Sequence, residues 1–305
     1  MSDIGILGGG PWGLSLARAA RRSGSKTTLY TRRHQELGGI HITTDMAVLA
    51  EAPLIIVAVP SNLAATIATQ PGDHPNGRHL LVHGIRGLSV EELTTVSQVF
   101  AEETPARRLG ALGGPVQASE LNDGRPSAMV VASAFDDVTK AVKERLASDW
   151  LRVVTTRDLV GLEWASALVG CLSIGVGYVR ERGDVSPGLV AALLSRAASE
   201  ANAIAVAAGA DERTFYGLGG YGDLLASMAL HDRPEVVLGR ELAKGASLEE
   251  ARERAALRVE AVELVPRITR FAQQRGVRCE IFRGLAPILG GEGAPEDIVR
   301  ALFAP

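Results

Sequence analysis

The 305-residue chain is 46 % hydrophobic and 22 % charged, with a formal net charge of −3. That length holds two domains with buried cores, and the near-balanced charge excludes a basic face for nucleic acid or an anionic membrane. Cys171 and Cys279 stand far apart with no C-x-x-C pattern, which fits a reduced, cytoplasmic protein rather than a disulfide scaffold.

Met1-Ser2-Asp3 leads straight into an apolar strand over 4–7, with no cleavable signal before it. Gly8-x-Gly10-x-x-Gly13 follows, and a helix over 13–22 begins at once. This is the strand–turn–helix setting of a dinucleotide pyrophosphate. Gly8 permits the tight turn, Gly10 lets backbone approach phosphate, Gly13 lets helix pack on strand, and the helix N-terminus faces the anion. Further strands are expected over 27–30, 40–43, 54–59, 80–82, 109–112, 128–132 and 151–154, with helices over 63–69, 91–102 and 138–147 between them. Continuous apolar runs such as LIIVAV at 54–59 suit strands covered on both faces. The rhythm predicts a mostly parallel, doubly wound α/β sheet of Rossmann type over 1–157.

Beyond 157 the strand pattern stops, and an all-α domain is expected over 158–305. Two long helices are predicted over 161–182 and 186–209, the second opening on Ser186 as N-cap and Pro187 at its first position. Alanines at 191, 192, 197, 198 and 201 predict close helix packing there. The uncharged run 164–179 is shorter than the ~20 residues of a membrane span, so a buried helix is expected. Further helices fit 234–244, 248–256 and 262–275.

The second strand ends Leu29-Tyr30-Thr31-Arg32-Arg33, with no carboxylate at its tip to accept from an adenosine ribose. Guanidinium groups bind a 2′-phosphate that a carboxylate would repel, so Arg32 and Arg33 favour NADP(H). If both are merely solvated, NAD(H) serves equally, and Glu36 nearby keeps that alternative open.

Several blocks, in order, resemble the NAD(P)-dependent glycerol-3-phosphate dehydrogenase family. Gly9-Gly10-Pro11-Trp12-Gly13 is similar to its G-x-G-S-W-G turn, with Pro11 for Ser, and Val57-Ala58-Val59-Pro60-Ser61 to its V-A-V-P-S. Ile85-Arg86-Gly87-Leu88 resembles T-K-G-[IL], and Gly113-Gly114-Pro115-Val116-Gln117-Ala118 resembles S-G-P-[ST]-F-A. Gly161-Leu162-Glu163, Ala167-Leu168, Gly219-Gly220-Tyr221-Gly222-Asp223-Leu224 and Val259-Glu260 resemble G-x-E, A-L-K-N, G-x-G-D-L and V-E-G.

The resemblance implies hydride transfer between a nicotinamide cofactor and dihydroxyacetone phosphate, a small phosphorylated substrate. It implies cofactor contacts at Gly8, Gly10, Pro11, Trp12, Gly13, Pro60, Ala118 and Glu260, beside Arg32 and Arg33. It implies substrate contacts at Arg86, Gly114, Ser227 and Arg233, with Arg86 and Asp223 in catalysis. Where the family has two lysines, this chain has Arg86 and Val169, and Gly170 replaces the Asn after the second. None of the four lysines (26, 140, 143, 244) falls in these blocks. Arg86 can stabilise an alkoxide electrostatically but does not readily yield a proton. Without a lysine partner, Asp223 is expected either to rise in pKa and act as a base or to cap the helix starting at Leu224. His83 and His231 are alternative proton donors, against ordinary core and surface roles.

No metal-ligand spacing is present, so no metal is expected. No nucleic-acid or membrane partner is expected either, and a homodimer is left open. Two alternatives to the dehydrogenase remain: a reductase of another small anionic ketone, and a non-catalytic NADP-binding sensor or partner protein.

Overall fold

One sheet is built from β1 (Ile4–Leu7), β2 (Thr27–Tyr30), β3 (His41–Thr43), β4 (Leu54–Val57), β5 (Leu80–His83), β6 (Arg108–Gly113), β7 (Ser127–Ala132) and β8 (Leu151–Thr156). Their spatial order is β3-β2-β1-β4-β5-β6-β7-β8. The computed structural model describes residues 2–32, 37–69, 77–86, 88–89, 93–183, 185–256 and 259–289. All neighbouring strands pair in parallel except β6 and β7. The order reverses across β1 and β4, which is where a doubly wound sheet opens a crevice at its carboxyl ends.

Helices cover both faces, and the apolar runs follow from that. Along β1 and β4, Ile4, Ile6, Leu54 and Ile56 enter one core, while Leu7, Ile55 and Val57 enter the other. The first core is closed by α1 (Pro11–Arg22), α5 (Ala118–Asp123) and α6 (Asp136–Leu146). The second is closed by α2 (Met46–Leu49), α3 (Ala64–Thr69) and α4 (Val96–Glu103). The helix expected over 91–102 starts only at Val96, because the Thr95 hydroxyl accepts from the Gln98 N–H and ends the preceding loop. Residues 91 and 92 of that expectation lie outside the described residues. The short α2 and α5 were not anticipated; α2, at four residues, is too brief to show helical periodicity.

The helical part contains α7 (Leu159–Arg182), α8 (Pro187–Ala207), a π turn (Leu218–Gly222), α9 (Asp223–Ala229), α10 (Pro234–Ala243), α11 (Leu248–Arg254), α12 (Ala261–Gln274) and α13 (Glu280–Leu289). One compact unit ends at Glu163 and the other continues from Trp164, so the division between them falls inside α7. The cause is Glu163. Its Oε1 accepts from the Ser97 N–H at 2.9 Å and from His83 Nε2 at 3.0 Å, and its Oε2 accepts from the Ser97 hydroxyl. The Ile85 N–H points at His83 Nδ1, which leaves the ring proton on Nε2. His83 is thus a satisfied core group. It ties the end of β5, the start of α4 and the first turn of α7 into one unit.

In the helical unit α7 is long and apolar enough to cross a membrane, as is α8, but most of α7 is buried inside the fold. Two glycines explain its packing. A Cβ at Gly239 would sit 1.9 Å from the Ile174 carbonyl oxygen, and one at Gly177 would sit 2.1 Å from that of Val236. Helices α7 and α10 therefore touch backbone to backbone. This contact, rather than the alanines of α8, is the tight approach: Ala191 and Ala192 are exposed, whereas Ala197, Ala198 and Ala201 are buried.

Two stability tests follow from this packing. Glu163→Ala strands three buried donors and should destabilise the sheet unit by about 3 kcal/mol; chemical denaturation of the variant measures it. Gly239→Ala forces α10 off α7 and should cost about 1–3 kcal/mol by the same method. A neutral result would mean the two helices can separate freely.

Candidate functional site

The turn between β1 and α1 is shaped by contacts only glycine permits. Gly8 has φ +129°, and a Cβ there would lie 2.3 Å from the Ala58 carbonyl oxygen. A Cβ on Gly13 would lie 1.9 Å from the Gly8 oxygen, so α1 presses directly on the turn. Gly10 is the N-cap, with no atom within 4 Å of an added Cβ, and no side chain caps α1. Pro11 occupies the first helical position, and no acidic residue lies in the first turn. No side chain of the first turn therefore offsets the partial positive charge at the head of α1. The residues present fit a dinucleotide pyrophosphate. Trp12 backs this turn, its indole nitrogen 2.4 Å from where a Gly84 Cβ would stand.

Other expected cofactor and substrate positions cluster at the carboxyl ends of the strands. Pro60 caps the single 3-10 turn after β4, and Ala118 opens α5 behind a capping box between Gln117 and Glu120. Arg32 is exposed just past β2. Arg33 and Glu36 lie outside the described residues. Beyond β5, Arg86 is half-buried, and its Nη2 donates to the Gly114 carbonyl at 3.2 Å. Gly114, with φ +98°, turns the chain after β6. Glu260 belongs to the other unit, as the N-cap of α12.

In the helical unit a polar cluster sits between α7, α9 and α10. The glycine-rich block 217–222 forms the π turn, where Gly220 passes so close to Phe215 that a Cβ would meet its oxygen at 2.2 Å. This unusual turn delivers Asp223 into the core at the head of α9, fully buried. One helical turn later, Ser227 Oγ donates to the Asp223 carbonyl. Arg233, the N-cap of α10, is 2 % exposed and reaches back to both. Its Nη1 donates to Asp223 Oδ1 at 2.8 Å and to Ser227 Oγ at 2.7 Å, and its Nε donates to Glu235 Oε2 at 3.1 Å. Ser173 of α7 completes the cluster, 2.9 Å from Ser227 Oγ and bonded to the Val169 carbonyl at 2.7 Å.

Two expectations for Asp223 are corrected here. It does not stand without a cation, since Arg233 is its partner. Nor does its side chain cap α9, which starts from Gly222 with no side-chain cap. Burial works against the Arg233 charge, but Asp223 and Glu235 outweigh it and hold the guanidinium pKa above its ordinary value. Arg233 is therefore permanently cationic.

Its Nη2, also buried, has no hydrogen-bond partner among the described residues. Glu235 was missed in the sequence. The signal was there: an acidic residue in the first turn of a helix opened by Pro234. A Cβ on Gly170 would lie 3.7 Å from Glu235 Oε1, so the carboxylate lies close along the bare backbone of α7. His231 is exposed beside Arg180 and joins none of these groups. Burial and the nearby Glu235 push the Cys171 thiol far up, so it stays protonated.

Comparison with known proteins agrees with this geometry. The family model for the N-terminus of NAD-dependent glycerol-3-phosphate dehydrogenase matches residues 37–139, and that for its C-terminus matches 158–300. A glycerol-3-phosphate dehydrogenase (NAD(P)+) of Synechococcus elongatus is 32 % identical, covering 98 % of this chain and 95 % of its own. One from Leuconostoc mesenteroides is 28 % identical, with 100 % and 98 % coverage. The crystal structure of glycerol-3-phosphate dehydrogenase from Coxiella burnetii superimposes with a TM-score of 0.88 at 22 % identity, over 99 % of this chain and 98 % of that one. With both halves of the family pattern present and aligned along the whole length, the chain belongs to the NAD-dependent glycerol-3-phosphate dehydrogenase family.

Proposed function

We propose that this protein is a cytoplasmic oxidoreductase interconverting dihydroxyacetone phosphate and sn-glycerol 3-phosphate with NADP(H), and with NAD(H) more weakly. The observation that carries the reading is the full-length match to glycerol-3-phosphate dehydrogenases, combined with a pyrophosphate cradle at Gly8–Gly13. The nicotinamide, when bound, supplies the hydride to the carbonyl carbon. The chain holds the dinucleotide at the head of α1, and Arg32 favours the 2′-phosphate form. Arg86, fixed against Gly114, offers a guanidinium to the substrate's phosphate or its developing alkoxide. As the carbonyl is reduced, its oxygen takes up the electron pair and then a proton from water.

A second reading keeps the fold and cofactor but changes the ketone. Val169 and Gly170 favour it, because the family lysine and asparagine are absent there.

The test is direct. Purified protein with NADPH and dihydroxyacetone phosphate should lose absorbance at the nicotinamide band as NADPH is oxidised. Tight NADPH binding without oxidation would overturn the substrate assignment while leaving the cofactor reading intact. For cofactor choice, Arg32→Ala should weaken NADPH by about tenfold, as expected for one exposed phosphate contact of roughly 1–1.5 kcal/mol, and NADH by less than twofold. Equal weakening of the two in a fluorescence titration would remove Arg32 from 2′-phosphate recognition.

A further inference from the structure

The helical unit also holds an apolar groove, built from residues outside the Arg233 cluster. Leu172 and Val176 of α7, Leu193 and Ala197 of α8, and Ile281 and Leu285 of α13 line it, and Met228 of α9 adds a flexible thioether. Small residues make the room. Ala197 offers a single methyl group, and Gly175 of α7 offers none. A Cβ at Gly175 would stand 3.0 Å from Leu285 Cδ2, so α13 lies against bare backbone there.

The walls are held in place. Glu200 of α8 accepts from the Ile281 N–H at the head of α13 at 2.8 Å, and Arg196 donates to the same carboxylate at 3.2 Å. That tie fixes α13 against α8, so the leucines cannot simply close over the space. Water gains few hydrogen bonds from such a lining, and apolar space of this kind takes apolar ligands.

Among the residues lining the groove, Arg180 alone is charged. It is half-buried near the end of α7. Its Nη1 donates to the Leu230 carbonyl at 3.3 Å, and its Nη2 lies 3.4 Å from both His231 ring nitrogens. No carboxylate pairs with it among the described residues, whereas Arg196, Arg240 and Arg254 of the same unit each meet a glutamate. A guanidinium without a counter-ion beside an apolar groove complements one kind of molecule: an anionic head on an alkyl chain.

We propose that this groove binds a free medium-chain carboxylate, its alkyl chain between α7, α8 and α13 and its head on the Arg180 guanidinium. The site lies wholly within the helical unit and does not rest on the dehydrogenase reading. Binding is non-covalent. The chain leaves water for leucine, valine and isoleucine surface, and the carboxylate accepts charge-assisted N–H bonds.

Calorimetry on the full-length protein with monomeric octanoate, hexanoate and octanol decides this. Octanoate should bind once per chain and about tenfold tighter than hexanoate, since each buried methylene contributes up to about fourfold. Octanol, with the same chain and no charge, should bind about tenfold more weakly than octanoate. Arg180→Gln should weaken octanoate by about tenfold and octanol by less than about twofold. Ala197→Phe, which fills the groove, should abolish binding of both. Should that variant fail to fold by circular dichroism, Ala197→Leu replaces it, with a loss of about tenfold expected.

Octanol binding as tightly as octanoate, or octanoate unaffected by Arg180→Gln, would overturn the pairing with Arg180. Octanoate binding that survives in a folded Ala197→Phe variant would place the ligand elsewhere and overturn the groove. Two other occupants would overturn the proposal as well. A second copy of the chain would give no octanoate binding and a dimer in sedimentation that Ala197→Phe dissociates. A lipid surface would give retention on anionic phospholipid vesicles without binding of monomeric octanoate. Absence of all binding has the same consequence.

Discussion

Backbone-to-backbone contact, possible only where a Cβ is missing, sets the chemistry of each unit. In the sheet unit Gly13 rests on Gly8, which brings the amide end of α1 down onto the carboxyl end of β1. In the helical unit Gly177 and Gly239 bring α7 and α10 into contact. The first contact makes an anion site from main-chain groups. The second delivers the head of α10, and with it Arg233 and Glu235, to the side of Ser173 and Ser227. Interiors packed this closely do not deform gradually, so a single methyl group at either contact alters the geometry of the polar groups built upon it.

The polar cluster of the helical unit illustrates how a buried charge is tolerated. An isolated guanidinium inside a protein is costly, and removing one partner of a buried pair is costlier than exchanging both for apolar groups. Here the charge is met by two carboxylates and a hydroxyl, all placed by short local segments: a π turn, one turn of α9 and the first turn of α10. Such an arrangement is weak evidence of stabilisation by itself. Its directionality is the more informative property, because three fixed bonds on Nε and Nη1 leave the third nitrogen, Nη2, pointing one way. Lysine, a single rotatable point charge, cannot reproduce that orientation.

The His83–Glu163–Ser97 network does comparable structural work in the sheet unit. It anchors the strand end that carries Arg86 three residues later, and it holds the first turn of α7 with the sheet. A histidine in the vicinity of a candidate site thereby turns out to be a structural tie. Its two ring nitrogens are both committed, which leaves it no role with a ligand.

Local patterning determined much of this protein. Apolar runs of strand length, a glycine fingerprint in its strand–turn–helix setting, and proline and serine at helix starts each act over a few residues, so the eight strands and the nucleotide turn were legible directly. The shortest helix, α2, escaped because four residues show no period. Tertiary structure decided the rest. That Asp223 would find Arg233, ten positions on, depended on the path of the chain through α9 and the following turn. Glu235 and Ser173 joined them only because two glycines on different helices meet. Charge pairing in a core is a property of three-dimensional distance and desolvation, and residue spacing along the chain carries neither.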